Sequence, residues 1–489
     1  MESHEAKETL SQAYTFLNWS LYRREFQRAA CPAPLPMSSV HPLSYHVQFA
    51  SLCPQRYGED WTFRCVRWEA ENVKADETIT TQGGWFKWRR LAFFIAAMGP
   101  GVMVMLADTD AGSIVTAAQS GASWGYKMVL PQLVLMPILF LIQEVTVRLG
   151  VVTGRGHGEL IRESFGVKWA LLSVFTLFIS SVGALVTEFS GIAGVSELFG
   201  VPKVLSVSFV ALLLILLGVT GSYGRVERIG IAIGLFELLF IPAAFWTHPD
   251  MTAFASDFTT LPLHNRDFLY LAAANVGAVI MPWMVFYQQG AVIDKNVRTT
   301  QLKAARWDTL VGSVVTQLIM IAVVVTAANT AHRAGRHALH EVQQIAAELV
   351  PFLGNLGAKL VFGLGLAGAA FVAALVVSVG AAWGLGEVFG WKHSLNHPIR
   401  EAKWFYGFYV MAHLLGATLV FSGLNLVSLT VDVEVMNAIL LPIVLGFLLA
   451  LEAKALPPKW RMHGLYKYTV WSVAGLVSLF GLYMAGNVL

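Results

Sequence analysis

Residues 99–113 read GPGVMVMLADTDAGS, and they place Asp108 and Asp110 inside an apolar run. A charged side chain at the centre of a bilayer costs from about 2.5 to more than 10 kcal/mol. Such a side chain is retained where it faces a cavity, an ion or a partner, so a uniformly lipid-facing helix is excluded here. The stretch therefore predicts a membrane helix that is interrupted around a functional carboxylate.

A second interrupted stretch, residues 277–284, reads GAVIMPWM. Pro282 removes a backbone donor and Gly277 loosens the helix, so carbonyl groups near Ala278 become available as ligands. The two stretches fall in the first and sixth of the apolar runs described below. Interrupted helices at matching places in two five-helix halves indicate a transporter site built on an inverted repeat.

The composition divides the chain of 489 residues into two parts. Overall 13% of the residues are charged, against about 25% in an ordinary soluble protein. Of the first 84 residues 18 are charged, but only 47 of the remaining 405. We expect residues 1–84 to be a cytoplasmic extension, either disordered or the product of a start codon assigned too far upstream. We expect residues 85–489 to form a transporter domain. A net charge of +3 on so apolar a chain argues against nucleic-acid binding.

Eleven continuous apolar runs in this domain are each long enough to cross a lipid bilayer as a helix. They lie at about 91–120, 127–150, 167–199, 203–221, 229–248, 266–291, 307–330, 355–388, 404–424, 428–452 and 467–487. Lys and Arg residues are concentrated in alternate connecting segments, which favours a cytoplasmic N-terminus and an external C-terminus. We expect an integral protein of a bacterial inner membrane.

The two interrupted stretches resemble motifs of the Nramp divalent-metal transporters. The first-helix motif of that family, Asp-Pro-Gly-Asn, corresponds to residues 110–113, which read DAGS. The sixth-helix motif has Ala, then Met three residues later, then Pro-His, and it corresponds to Ala278, Met281, Pro282 and Trp283. The resemblance extends over residues 85–487 and all eleven runs.

This resemblance implies an all-α membrane protein with a LeuT-like inverted repeat of five plus five transmembrane helices and an eleventh helix. It implies a transporter rather than an enzyme, with no cofactor and with a divalent cation as substrate. Carried over by position, the metal ligands are the Asp110 carboxylate, the Ser113 side chain, the carbonyls of Ala107 and Ala278, and the Met281 thioether. Carboxylate and carbonyl oxygens suit hard cations, whereas a thioether favours Mn²⁺ or Fe²⁺ over Mg²⁺.

The chain departs from the family pattern at positions that the family links to proton movement. Trp283 replaces a His, and an Asp and a Glu of the third helix correspond to Glu188 and Gly191. The resemblance therefore leaves open whether metal uptake is a symport with protons. The acids expected to serve a proton path or to surround the metal ligands are Asp108, Glu188, Asp432 and Glu434.

Three alternative functions are considered at this stage. A Mg²⁺ carrier of a related branch, without proton coupling, is favoured by Glu434 and by the short Ser113 side chain, because Mg²⁺ keeps several water ligands. A metal-sensing membrane protein that does not transport would need a large soluble signalling domain, which an 84-residue head does not supply. The third alternative is an organic-cation or amino-acid carrier on this fold, and for an amino acid Asp110 would repel the substrate carboxylate.

Overall fold

The computed structural model describes residues 51–57, 60–66, 99–258, 260–421 and 426–488. The chain divides into two compact units, Met1–Thr81 and Gln82–Leu489. In the first unit, strands β1 (Ser51–Tyr57) and β2 (Asp60–Val66) form an antiparallel hairpin. Most of the predicted extension, residues 1–84, lies outside the described residues, so its role stays a prediction.

The described part of the second unit is helical. Its α-helices are α1 (Pro100–Asp108), α2 (Ala111–Trp124), α3 (Val129–Thr153), α4 (His157–Phe165), α5 (Val167–Leu198), α6 (Lys203–Thr220), α7 (Tyr223–Gly234), α8 (Phe240–Trp246), α9 (Met251–Asp257), α10 (Arg266–Val279), α11 (Pro282–Asp294), α12 (Leu302–Ala327), α13 (Val342–Ala347), α14 (Val350–Phe389), α15 (Lys403–Val420), α16 (Leu426–Ala455) and α17 (Gly464–Val488). Short 3₁₀ segments connect several of them, and the π-helical segment Ala328–His332 extends α12.

Among the described residues, nine helical stretches are long and apolar enough to cross a membrane. Each of the eleven predicted runs nevertheless has a helical counterpart, although the first run begins before the described residues. The numbers differ partly because α2 and α3 form one continuous stretch, Ala111–Thr153, through a short 3₁₀ turn. Helix α15 is not among the nine, because Lys403 and His413 lower its apolar character.

Both predicted interruptions are present. Helix α1 ends at Asp108 and α2 begins at Ala111, with Asp110 in an extended conformation between them (φ −72°, ψ 176°). Helix α10 ends at Val279 and α11 begins at Pro282, and Met281 is likewise extended (φ −92°, ψ 141°). The proline ring explains the second break, because it supplies no N–H to a preceding helical turn.

The two broken helices lie in the interior of the second unit. Helices α2 and α10 contact each other, and both also contact α16. Helix α14 packs along α5, and α12 packs against α1, α2 and α3. Large apolar side chains on α6 and α17 are instead exposed, which suits the surface of a helix bundle that faces lipid.

Candidate metal site

The first interruption redirects the backbone groups of two helices. In a continuous helix the Ala111 N–H would donate to the Ala107 carbonyl, but here it donates to Glu188 Oε2 at 3.1 Å. Asp110 caps the start of α2, because its Oδ1 accepts a 2.6 Å hydrogen bond from the Ser113 N–H. Asp110 is fully buried, and its second oxygen, Oδ2, has no hydrogen-bond partner. The Oδ2 atom is thus available as a ligand.

The second interruption presents the Ala278 carbonyl to the first. The residue four positions later is Pro282, which has no N–H to donate to that carbonyl. Instead Ser113 Oγ donates a 2.9 Å hydrogen bond to the Ala278 oxygen. The side chain of Ser113 and the carbonyl of Ala278, both predicted as ligands, are therefore in direct contact across the two breaks.

Met281 is held in place by the residue that replaces the histidine of the family motif. The side chain of Met281 is 1% exposed, and its Sδ accepts a 3.1 Å hydrogen bond from Trp283 Nε1. A thioether sulfur has two lone pairs, so one remains for a metal ion. Trp283 therefore orients the sulfur without carrying a titratable proton.

Gly112 allows Glu434 to approach the Asp110 carboxylate. A Cβ atom at Gly112 would lie 2.4 Å from Glu434 Oε1 and 3.2 Å from Asp110 Oδ1. Glu434 is fully buried, and its Oε2 accepts a 3.0 Å hydrogen bond from Asn437 Nδ2. The Oε1 atom has no partner, so the structure brings an available oxygen of Glu434 close to Asp110.

Glu188, on α5, contacts the first residue of α2. Besides the Ala111 N–H, it accepts a 3.2 Å hydrogen bond from the Thr187 hydroxyl. Gly191, one turn later on α5, packs so closely on Ala111 that an added Cβ would lie 2.5 Å from the Ala111 Cβ. The acid that the family has at this position would not fit against Ala111.

The structure places the two acids of α16 differently. Asp432 is exposed and accepts a 2.6 Å hydrogen bond from the Tyr270 hydroxyl, whereas Glu434 is buried at the break. Residues two positions apart on an α-helix point in directions about 200° apart, which explains the separation. Asp432 is thus not brought together with the other candidate residues.

Asp108 and a further acid, Glu237, are buried near the first break. Both carboxyl oxygens of each side chain lack a hydrogen-bond partner. Glu237 lies in a 3₁₀ segment, Leu235–Leu239, and is within electrostatic reach of Asp108 and Asp110. Glu237 matches no motif of the family, but an acid within an apolar run is itself a signal of function.

The site chemistry suits a cation. No Lys or Arg among the described residues forms an ion pair with these buried acids; the ion pairs that are present involve other carboxylates. Within the described ranges, no three His, Cys, Asp or Glu side chains converge as a metal cluster. The candidate ligand set instead combines the Asp110 carboxylate with backbone carbonyls, a hydroxyl and a thioether. Such a set can replace the hydration shell of a divalent cation without neutralising it completely.

Comparison with known proteins agrees with this chemistry. Residues 101–486 match the family model described as natural resistance-associated macrophage protein-like, or Nramp. The chain is 28% identical over 291 residues to a divalent metal cation transporter, MntH, of Verminephrobacter eiseniae, and 28% identical over 323 residues to that of Brucella suis. The matches cover 57% and 63% of this chain. The first match spans 65% of its relative, just under two thirds of that protein, and the second spans 69%.

Solved structures confirm the predicted fold. A manganese transporter of Eremococcus coleocola, solved with an aromatic bis-isothiourea substituted compound, superposes with a TM-score of 0.64 at 15% identity, over 83% of this chain and 88% of that one. A Na⁺-coupled sialic acid symporter gives 0.55 at 14% identity, over 80% and 89% of the two chains. The structure of MhsT with L-phenylalanine gives 0.54 at 15% identity, over 81% and 97%.

These similarities confirm two predictions: the LeuT-like helical fold, and membership of a family of transporters rather than enzymes. Because the family model covers most of the chain, from residue 101 to residue 486, the chain belongs to the Nramp family.

Proposed function

We propose that this protein transports a divalent transition metal ion, Mn²⁺ or Fe²⁺, into the cell by alternating access. The proposal rests on one observation: the two helix breaks meet beside a single buried carboxylate, that of Asp110. Ser113 on α2 donates to the Ala278 carbonyl on α10, and the unpartnered Oδ2 of Asp110 lies at the same break. The relatives named as divalent metal cation transporters support the same cargo.

The choice of Mn²⁺ or Fe²⁺ rests on the sulfur of Met281. Its position beside the second break, held by Trp283, adds a soft ligand to a set of hard oxygen ligands. Mg²⁺ gains nothing from sulfur, whereas Mn²⁺ and Fe²⁺ tolerate a mixed set. Import is the proposed direction, and the distribution of Lys and Arg favours a cytoplasmic N-terminus.

A second candidate, a Mg²⁺ carrier, is supported by one specific observation. Glu434 Oε1 has no partner and lies where a Cβ at Gly112 would be only 2.4 Å away. A second carboxylate oxygen at the site, with the short Ser113, suits a hard ion that retains water. The two candidates therefore differ in whether Glu434 or Met281 dominates selectivity.

Alternating access needs a path that opens on one side at a time. Polar contacts join the helices at the end of the bundle that contains Gly99, here the Gly99 end. The Asp308 carboxylate accepts hydrogen bonds from the N–H groups of Gly99 (2.9 Å), Gly101 (2.7 Å) and Val102 (3.2 Å), which tie α1 to α12. Lys295 Nζ lies 2.9 Å from a carboxylate oxygen of Glu227. We propose that release of these contacts lets α1 move and opens Asp110 toward this end.

A coupled proton would have to be carried by a side chain other than the one at position 283. Trp283 does not titrate, so Glu188 and Glu434, which both lie near Asp110, are the proposed acceptors. A pH-sensitive dye inside vesicles decides the question. Acidification in step with Mn²⁺ uptake, and its loss in Glu188→Gln, would establish symport, whereas uptake without acidification would indicate transport of the metal alone.

The proposed function is tested with the purified full chain in liposomes. We expect Mn²⁺ uptake that a tenfold excess of Mg²⁺ does not suppress. Asp267→Ala, which removes an exposed acid in the first turn of α10, serves as the control and should transport normally. Mg²⁺ uptake without Mn²⁺ uptake would establish the second candidate instead, and uptake of neither ion would contradict both.

A further inference from the structure

A groove separates two helices on the lipid-facing surface of the bundle. Helices α5 and α16 both belong to stretches long and apolar enough to cross a membrane, Val167–Leu198 and Val427–Ala455. Near the start of α5 and the end of α16 they leave an open groove of about 330 Å³. The groove is walled by aromatic and aliphatic side chains: Phe165, Trp169, Leu172, Ile443 and Phe447. Such walls suit a hydrocarbon chain.

Aromatic rings mark the end of the groove that lies at the membrane surface. The ring of Phe447 has its centroid 6.2 Å from that of Phe165 and 6.0 Å from that of Trp169. Trp169 is 52% exposed and lies in the first turn of α5. Tryptophan side chains at the ends of membrane helices are enriched at the level of the lipid headgroups. This end of the groove therefore lies where a headgroup meets its acyl chains.

A glycine keeps the groove open along α16. Gly446 lines the groove and is exposed, and a Cβ added to it would have no heavy atom within 4 Å. A larger side chain at this position would therefore occupy the groove. From Ile443 to Lys454 helix α16 rises about 16 Å, roughly half of the ~30 Å hydrocarbon core of a bilayer. The groove thus has the depth of one leaflet.

Two lysines place positive charge at the surface end of the groove. Lys454, in the last turn of α16, has its Nζ 4.7 Å from the centroid of the Phe165 ring. The same Nζ donates a 2.5 Å hydrogen bond to the Ser164 carbonyl, which leaves two of its three N–H groups for a ligand. Lys168 is exposed and directly precedes Trp169 on α5. Two cations beside an apolar groove complement a phosphate joined to acyl chains.

The acids closest in sequence to these lysines do not cancel their charge. Glu163 forms an ion pair with Arg155. Glu452 is 1% exposed and accepts a 2.5 Å hydrogen bond from the Met462 N–H. Because Glu452 lies two positions before Lys454, the two side chains point about 200° apart around α16, so Glu452 is turned away from the groove. The surface end of the groove is therefore positive.

We propose that this groove binds one phospholipid with a negatively charged headgroup, whose phosphate contacts Lys454 and Lys168 and whose acyl chain lies against Gly446. Charge complementarity distinguishes this ligand from the zwitterionic lipids that surround any membrane helix. Helix α5 carries Glu188 and α16 carries Glu434, so the lipid would bridge the two helices that bring these acids to the Asp110 site. Binding of the lipid does not depend on which metal ion the protein transports.

The experiment compares phosphatidylglycerol with phosphatidylcholine of the same acyl chains, so that only headgroup charge differs. The purified full chain is mixed with each lipid in detergent micelles, and native mass spectrometry measures how tightly lipid is retained. We expect one phosphatidylglycerol to be held at least tenfold more tightly than phosphatidylcholine, since each lysine contributes about fivefold. Lys454→Gln/Lys168→Gln retains an N–H for Ser164 and should remove this preference. Equal retention of the two lipids by the parent protein would overturn the proposal.

A lysine outside the groove separates a specific site from general surface charge. Lys467 is exposed near the start of α17, at the end of the bundle where α16 ends, and its Nζ lies 6.0 Å from the centroid of the Trp471 ring. It does not line the groove. We expect Lys467→Gln to keep the parental preference for phosphatidylglycerol. A loss equal to that of the double variant would also overturn the proposal.

Filling the groove provides a second test that leaves both lysines in place. We expect Gly446→Leu to reduce phosphatidylglycerol retention at least fivefold with an unchanged melting temperature, because its Cβ meets open space. Gly407→Leu, at an exposed glycine of α15 with nothing within 4 Å of its Cβ, is the matched control. If Gly446→Leu does not fold, Lys454→Gln alone should still weaken retention about fivefold.

Two results of this second test would contradict the proposal. The first is parental retention of phosphatidylglycerol in a folded Gly446→Leu or in Lys454→Gln. The second is a dimer of the parent protein that Gly446→Leu dissociates, without any preference between the two lipids. That result would show that a second copy of the chain occupies the groove.

Discussion

The hydroxyl of Ser113 donates a 2.9 Å hydrogen bond to the carbonyl oxygen of Ala278, and this bond joins the two broken helices. The Ala278 carbonyl is available because Pro282 has no N–H for it. The backbone N–H of Ser113 donates to the Asp110 carboxylate and caps the start of α2. One serine thus contacts a backbone ligand through its side chain and the charged ligand through its backbone.

We expect Ser113→Ala to weaken Mn²⁺ uptake by about tenfold, because it removes the hydroxyl, one of the proposed ligands. The Ala278 carbonyl left without its donor costs about 1–3 kcal/mol of folding stability, which lowers the melting temperature rather than the metal affinity. Ser113→Asn, which restores the residue of the family motif, should retain or raise Mn²⁺ affinity. Initial uptake rates at several Mn²⁺ concentrations provide the measurement, and equal KM values for Ser113→Ala and the parent protein would contradict this role.

Replacement of Met281 by Leu should separate the soft from the hard metals. The two side chains have similar volumes, so the packing is retained and only the sulfur is lost. We expect Cd²⁺ and Mn²⁺ to bind more weakly, Cd²⁺ most, and Mg²⁺ to bind as before. Met284→Leu, one turn into α11 and equally buried, is the control. Equal losses for all three ions would remove the thioether from the site.

Gly112→Ala should abolish metal uptake while a distant glycine tolerates the same change. The new Cβ would lie 2.4 Å from Glu434 Oε1 and 3.2 Å from Asp110 Oδ1, so one carboxylate must move. Gly407→Ala on α15 has nothing within 4 Å of its new Cβ and is the matched control. Uptake and the melting temperature are measured together. A Gly112→Ala protein that transports at the parental rate would show that Glu434 does not face the site.

The two acids of α16 are expected to respond differently to neutralisation. Glu434→Gln removes a charge beside Asp110 and should change the relative uptake of Mg²⁺ and Mn²⁺, with the larger loss for Mg²⁺. Asp432→Asn affects an exposed side chain that accepts a bond from Tyr270, and its effect on uptake should be small. Competition between the two ions measures both variants. A larger effect of Asp432→Asn would reverse the assignment.

The positions of the helix breaks could be predicted from the sequence because their causes are local. Pro282 removes a hydrogen bond wherever the helix packs, and Asp108 and Asp110 are costly in lipid wherever they lie. Contacts between distant elements could not be predicted in this way. The hydrogen bond from Trp283 to Met281 and the approach of Glu434 to Gly112 depend on rotamers and on the packing of α16 against α2.

The roles of acids within spans depend on the face of the helix that carries them. Asp432 and Glu434 are two residues apart in an apolar run, so composition treats them alike, although only Glu434 is buried. Glu237 is the reverse case. No motif includes it, but the structure places it near Asp108. A sequence shows that a carboxylate lies within a span, but helix packing determines what it faces.

The central claim is that Asp110 supplies the charge that binds the metal between the two breaks. It is tested most directly by Mn²⁺ titration of the purified full chain, comparing the parent protein with Asp110→Ala and with the surface control Asp267→Ala. Loss of an outer-shell partner alone typically costs about 10–100-fold in metal affinity, so we expect Asp110→Ala to weaken Mn²⁺ binding at the central site by at least that factor. Parental affinity in Asp110→Ala would contradict the account.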